Sequence, residues 1–133
     1  MNEQNINPGI FGLGNPNNAY SQYFSGRSWL KMLTVERLVT ANVTFEACRN
    51  NWHVHHKGGQ ILLVTAGRGW YQAYGEPPRA LKPGDVVNIP PEVKHWHGAA
   101  KDSSFAHIAI EVPAEGSSNE WLEPVSDEDY AKL

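Results

Sequence analysis

The chain has 133 residues and a formal net charge of −3, with acidic and basic side chains interspersed along it. This length suits one domain, because domains commonly contain about 100–150 residues, and the scattered charges give no case for a nucleic-acid partner. No run approaches the roughly 20 apolar residues of a membrane span. The single cysteine cannot form an internal disulfide, and the N-terminus lacks a signal-like pattern, so we expect a cytoplasmic protein.

The first part of the chain, residues 1–20, is rich in Asn and Gly and has little apolar periodicity. We expect an irregular N-terminal arm there, which either drapes over the fold or crosses to a partner subunit. Residues 21–133 are predicted to form one domain, since short runs rich in Val, Ile, Thr, Trp and Tyr alternate with Gly and Pro turns.

The predicted strands are Tyr23–Phe24, Trp29–Leu33, Val35–Val39, Val43–Phe45, Trp52–His55, Gln60–Thr65, Gly69–Tyr74, Arg79–Leu81, Val86–Ile89, His95–Gly98 and Ser104–Val112. Many short strands with such turns indicate an all-β antiparallel sandwich or barrel, not βαβ units. A short C-terminal helix is predicted after Ser126, because Ser126 and Asp129 have the spacing of a capping box. This helix should run through Leu133.

All six histidines lie in the middle part of the chain. His53 and His55 are two residues apart on one predicted strand, so both rings should face the same side of it, and His95 and His97 repeat the arrangement. Gln60 begins the strand that follows the first pair. An isolated His-x-His pair more often lies at a surface. In a closed barrel, however, three imidazoles and one side-chain oxygen could surround a transition metal.

These stretches resemble the two motifs of the cupin superfamily. The first motif, G-x5-H-x-H-x3–4-E-x6-G, is matched in its spacing, with Ala47 at the leading glycine, His53 and His55 at the histidines, Gln60 in place of the usual glutamate ligand, and Gly67 at the last glycine. The second, G-x5-P-x-G-x2-H-x3-N, is matched by Gly84, Pro90, Glu92, His95 and Ala99. The resemblance implies a single-domain cupin, which is a double-stranded β-helix or jelly-roll barrel. Ala47 and Glu92 replace glycines, so their turns are expected to avoid positive φ.

Longer stretches, Gly59–Trp70, Pro83–Val87 and Lys94–Ala99, resemble the bacterial cupin-type hydroxynitrile lyases. That resemblance implies one divalent metal per chain on His53, His55, Gln60 and His95. Manganese is the usual metal of these lyases, with iron, nickel or zinc as alternatives here. The lyase loop before the Gln is one residue shorter, so His56 competes with His55. The resemblance also implies a homodimer or homotetramer.

Two further histidines are candidates for the chemistry of a small-molecule substrate. His97 shares the face of His95, and His107 falls where the lyases carry a histidine near the metal. Either could move a proton if its pKa lies near the operating pH. Otherwise each is a hydrogen-bonded supporting histidine. The resemblance implies a metal-dependent lyase that uses the metal as a Lewis acid on a small hydroxy or carbonyl compound. The alternatives are a dioxygenase and a non-catalytic barrel that binds a small ligand.

Overall fold

The computed structural model describes residues 6–133 and consists almost entirely of β-structure. The elements in this part of the chain are β1 Asn15–Pro16, a 3-10 turn Ser21–Tyr23, β2 Phe24–Thr34, β3 Thr40–Asn50, β4 His53–His56, β5 Gln60–Gly67, β6 Gly69–Ala73, β7 Arg79–Leu81, β8 Val86–Ile89, β9 His95–Ala99, β10 Ser104–Glu111, β11 Ser118–Trp121 and α1 Asp127–Ala131. No helix among the described residues is both long and apolar enough to span a bilayer.

Strand β3 lies at the centre of the sheet, because it pairs with β2, β9 and β10. From β10 the sheet continues to β5 and β8, and β9 also pairs with β4 and β6. Every pairing is antiparallel, as the sequence predicts. The sheet curls around a core of buried apolar side chains, which include Phe45, Leu62, Val87, Ile89 and Phe105. The all-β prediction is confirmed.

Some strand limits differ from the prediction. The predicted strands Tyr23–Phe24 and Trp29–Leu33 fall mainly on one strand, β2, in which Gly26 lies at a break in the register with β3. Strands β1 and β11 were not predicted, since both are polar and carry no alternating apolar pattern. Helix α1 starts after Ser126, whose hydroxyl accepts a hydrogen bond from the backbone of Asp129, but it ends before Leu133.

The predicted strand Val35–Val39 is wrong, because this segment is the turn between β2 and β3. The backbone N–H of Leu38 donates to the carbonyl of Glu36 at 2.7 Å, and Arg37 has φ 65°. The apolar side chains that suggested a strand are exposed at the surface. Apolar character alone therefore did not indicate burial here.

The described part of the N-terminal arm drapes over its own fold, whereas residues 1–5 lie outside the described residues. Strand β1 pairs with β2. The buried amide of Asn42 donates to the carbonyls of Pro8 at 3.2 Å and Gly12 at 2.7 Å. At Gly14, φ is 76° and a Cβ would lie 2.5 Å from the carbonyl oxygen of Leu30, so the arm can pass this closely only with glycine there.

Ala47 and Glu92 both adopt the positive φ that they were expected to avoid, with φ 42° and 68°. That expectation was wrong. Ala47 lies opposite the register break at Gly26. At Glu92, local hydrogen bonds offset the conformational cost: its backbone N–H donates to the carbonyl of His55 at 2.9 Å, and its carboxylate accepts from the backbone of Lys57 at 2.9 Å.

Candidate metal centre

Strands β4 and β9 pair with His53 directly opposite His95. The two-residue period of a strand then brings His55 and His97 to the same region. Ring centroids are 4.2 Å apart for His53 and His95, and 5.2 Å apart both for His53 and His55 and for His55 and His95. All four rings are buried. The structure therefore brings both His-x-His pairs together.

Distance alone selects three of these four histidines. One ring nitrogen from each of His53, His95 and His97 lies within 4.8 Å of the others. These three histidines could hold a metal ion. Hydrogen bonds decide which nitrogens have a free lone pair.

Each histidine of the predicted ligand set places Nδ1 against an acceptor oxygen. His53 Nδ1 donates to the carbonyl of Asn51 at 2.7 Å, and His95 Nδ1 donates to the carbonyl of Val93 at 2.8 Å. His55 Nδ1 lies 2.7 Å from the side-chain oxygen of Asn119. Because these oxygens accept, Nδ1 carries the hydrogen and Nε2 keeps its lone pair in each ring.

Three buried atoms of the predicted set have no hydrogen-bond partner among residues 6–133: His55 Nε2, His95 Nε2 and Gln60 Oε1. The amide nitrogen of Gln60 donates to the carboxylate of Glu111 at 2.6 Å, which leaves the amide oxygen free. A buried acceptor without a partner is costly, so an unpaired group of three requires an explanation. A bound cation would provide one.

Asn50 determines which ring nitrogens of His97 and His107 carry a hydrogen. Its Oδ1 accepts from the backbone N–H of His97 at 2.9 Å, so its amide nitrogen must be the atom that donates to His97 Nε2 at 3.2 Å. His97 therefore carries its hydrogen on Nδ1 and donates to His107 Nε2 at 3.1 Å. Both nitrogens of His97 are engaged. His107 has one ring nitrogen without a hydrogen bond, since its buried Nδ1 has no partner in the described part of the chain.

Burial favours the neutral form of these rings. It lowers the pKa of His95 to about 4 and that of His107 to about 3. It also holds the pKa values of His53 and His97 well below 6.5, helped by neighbouring histidines. Neutral imidazole is the form that binds a metal. The expectation of a pKa near the operating pH is not met by His97 or His107.

His56, the alternative to His55, lies outside this group. Its Nδ1 bonds the carboxylate of Glu92 at 2.6 Å, and its Nε2 bonds that of Glu120 at 2.7 Å. The hydrogen bonds to Glu120 and Glu92 raise the pKa of His56. With both nitrogens held by carboxylates, His56 has no lone pair for a metal, whereas His55 has one.

A cavity of about 550 Å³ adjoins five of the six histidines, and His95 is the exception. This volume lies in the range of small-molecule sites, about 300–1,000 Å³. The polar side chains of its lining include His53, His55, Gln60, His97 and His107. The apolar side chains include Leu30, Met32, Ala41, Val43, Ala109 and Trp121. The cavity therefore offers a small molecule both a polar region and an apolar wall.

A family model described as the cupin domain matches residues 43–111. The chain belongs to the cupin family. This cupin is 46% identical over 93 residues to an (R)-mandelonitrile lyase of Granulicella tundricola, and the match covers 69% of this chain and 70% of that protein. These two comparisons confirm the predicted cupin family and the resemblance to these lyases.

Two further proteins are similar to this cupin. A solved cupin-like protein of Thermotoga maritima has 45% identity and a TM-score of 0.85, covering 92% of this chain and 95% of that one. An acireductone dioxygenase of Bacillus pumilus is 25% identical over 79 residues, covering 56% of this chain and 42% of that protein. The first comparison confirms the predicted fold class.

The donor atoms of this cupin fit a divalent transition metal. Burial favours the neutral form of the rings. The hydrogen bonds made by Nδ1 of His53, His55 and His95 leave the lone pair of Nε2 in each ring available to a metal. Such supporting bonds are the usual means by which proteins orient metal-binding histidines. The free oxygen of Gln60 adds a neutral fourth donor.

Sequence reasoning missed two supporting residues, Asn50 and Asn119. Asn50 ends a strand without any motif, and Asn119 lies on β11, whose polar sequence gave no strand signal. Glu111 also lines the cavity, at the end of β10. Cys48 has a structural place: it is buried in the core, and burial raises the pKa of its thiol to about 12.

Proposed function

We propose that this cupin is a metal-dependent lyase that cleaves or forms the C–C bond of a small cyanohydrin. The observation that carries the proposal is the 46% identity to an (R)-mandelonitrile lyase, which extends over 69% of the chain. The cavity supports it, because a polar region and an apolar wall suit a molecule with a hydroxyl group on a hydrocarbon body. Fold alone would not select this reaction.

The proposed ligands are His53, His55, Gln60 and His95. In this assignment His55 replaces His97 of the distance-based group, since hydrogen bonds engage both nitrogens of His97. Manganese is the first candidate, with iron, nickel and zinc as alternatives, since neutral nitrogen and oxygen donors suit all of them. When bound, such an ion polarises a substrate oxygen as a Lewis acid.

In the proposed cleavage the substrate O–H and C–C bonds break, and a C=O bond and H–CN form. We assign to His107 the hydrogen bond to the departing cyanide, because its Nδ1–H is the free ring position of the His97–His107 pair. His97 positions His107 from behind. This assignment keeps both predicted catalytic histidines but gives only His107 direct contact with the substrate.

The test starts from tag-free protein. Elemental analysis should find about one transition-metal ion per chain, and the loaded protein should release benzaldehyde from (R)-mandelonitrile faster than the free metal does. His53→Ala and His95→Ala should lose both metal and turnover while circular dichroism shows a folded barrel. His107→Ala should keep the metal and lower turnover on the order of 100-fold.

Two results would contradict the lyase. A metal-loaded protein that binds cyanohydrins without turnover would be a binding barrel. Metal-dependent oxygen consumption without benzaldehyde release would favour a dioxygenase. A folded, fully active preparation that contains no metal would remove the metal site from the mechanism.

A further inference from the structure

Glu111 ends β10 directly opposite Gln60, the first residue of β5. One oxygen of its carboxylate accepts the hydrogen bond from Gln60 Nε2 at 2.6 Å. The other lies 4.0 Å from His55 Nδ1, beyond hydrogen-bond distance. Glu111 is the only acidic residue in the described lining of the cavity.

The contact fixes the direction of the Gln60 amide. An ionised carboxylate has acceptors only, so the amide must turn its nitrogen toward Glu111. The amide oxygen is then left in the buried interior, where it has no partner among residues 6–133. Without Glu111, either end of the amide could face the histidines.

The contact also brings negative charge close to a donor set that is otherwise neutral. Hydrogen bonds to an ionised group are short and roughly twice as strong as neutral ones. Such a bond polarises the amide and makes its oxygen a better donor, because hydrogen bonds in a chain strengthen each other. No salt bridge from Lys or Arg to Glu111 is present in the described part of the chain, so its charge is not neutralised by a cationic side chain.

We propose that Glu111 is a positioning residue for the metal: it orients the Gln60 oxygen toward the ion and supplies, from behind Gln60, the negative charge that a glutamate ligand would carry. This inference rests on the metal site of the proposed function. It explains how a cupin with glutamine at the ligand position can retain an anion beside its metal.

The first test measures the affinity of the metal-free chain for Mn²⁺ by calorimetry. Glu111→Gln keeps an acceptor for the Gln60 amide but removes the charge, and Glu111→Ala removes both. We expect weaker binding by roughly 10-fold for Glu111→Gln and roughly 100-fold for Glu111→Ala, the range found for such supporting partners. Asp102→Asn removes an equal charge from a surface ion pair with Arg68 and should leave the affinity unchanged.

The second test exchanges the two residues. Gln60→Glu alone places two carboxylates where a 2.6 Å hydrogen bond now lies, so they must share a proton or separate. Its gain in Mn²⁺ affinity should therefore be small. Gln60→Glu with Glu111→Gln restores the hydrogen bond and puts the anion on the ligand itself, so it should bind at least about 10-fold more tightly than Gln60→Glu.

The outcomes separate this inference from the metal site. Folding of each variant is checked by thermal unfolding. If the folded wild type binds no Mn²⁺, both the metal site and the inference are overturned. A second outcome is that the wild type binds Mn²⁺ and the Glu111 variants bind it equally well. If the effect of the double variant on affinity also equals the sum of the two single effects within about twofold, only the role of Glu111 is overturned.

Discussion

Asn50 and Gln60 show how a side-chain amide sets the chemistry of its neighbours. Each amide is fixed by one unambiguous contact, the backbone N–H of His97 for Asn50 and the carboxylate of Glu111 for Gln60. The other end of the amide then decides which atom faces the site. At this scale, the functional atoms follow from donor and acceptor rules and not from sequence motifs.

Asn50→Asp should move the ring hydrogen of His97 from Nδ1 to Nε2. An ionised aspartate accepts but does not donate, so His97 Nε2 must carry a hydrogen to keep the contact that is now 3.2 Å long. Long-range ¹H–¹⁵N spectra should show His97 hydrogen on Nδ1 in the wild type and on Nε2 in the variant. The exposed substitution Asn88→Asp should leave these signals unchanged. An unprotonated Nε2 in a folded Asn50→Asp protein would disprove the assignment.

His107 should make the metal-free protein sensitive to acid. Burial lowers its pKa to about 3 in the folded chain, from about 6.5 when unfolded. Between these pH values only the unfolded chain binds the proton, so the folded state loses stability as the pH falls below about 6.5. One proton corresponds to about 1.4 kcal/mol per pH unit. Urea unfolding at a series of pH values, with a chelator present to remove metal, measures how the free energy of unfolding changes with pH. This slope should be smaller in His107→Gln than in the wild type, and an unchanged slope would contradict the assignment.

The elements divide into those that the sequence could predict and those that it could not. Strands β4 and β9 carry their histidines with a period of two, which is a local property of the sequence. The turn at Arg37 carries apolar side chains that are exposed, so their local pattern wrongly indicated a strand. Strand β11 depends on pairing with the distant strand β4, which no local pattern records. For the same reason the sequence left His56 as an alternative to His55, and only the three-dimensional structure shows that the carboxylates of Glu92 and Glu120 hold both ring nitrogens of His56.

The C-terminal segment is attached to the barrel by Arg49. Its buried guanidinium donates twice to the carbonyl of Val125, at 3.1 and 2.9 Å, and contacts Asp127 at 2.6 Å. It also lies 4.3 Å from the centre of the Tyr130 ring. Helix α1 has only one turn, so these contacts and not helix propensity must hold it in place.

Arg49→Met should destabilise the chain by about 1–3 kcal/mol, because it leaves the Val125 carbonyl without its donors. Asp127→Asn is the matched control. That carboxylate is fully exposed, so its ion pair should contribute little to the free energy of unfolding. The free energy of unfolding in urea measures both. Equal losses for the two variants would show that the ion pair, and not the carbonyl contact, attaches the segment.

On the scale of the whole molecule, the candidate metal centre lies inside the barrel while several apolar side chains lie outside it. Val35 is 68% exposed, Met32 46%, Val39 43% and Leu38 42%. These four side chains belong to one hairpin, formed by β2, β3 and the turn between them. Met32 and Val39 also line the cavity, so whatever covers the hairpin would border the site.

The homodimer or homotetramer implied by the sequence resemblance remains a prediction, and this hairpin is where we expect subunits to meet. Burying exposed apolar side chains between two copies would favour association by about 25 cal/mol for each Å² removed from water. Light scattering at micromolar concentration should therefore give at least the dimer mass.

The double substitution Val35→Lys and Leu38→Lys should shift the mass toward the monomer, because it places four like charges in a symmetric contact. The matched substitution Val86→Lys alters a 54% exposed residue on β8 and should leave the mass unchanged. A wild-type monomer would refute assembly, whereas a dimer that persists in the double variant would place the contact on another surface.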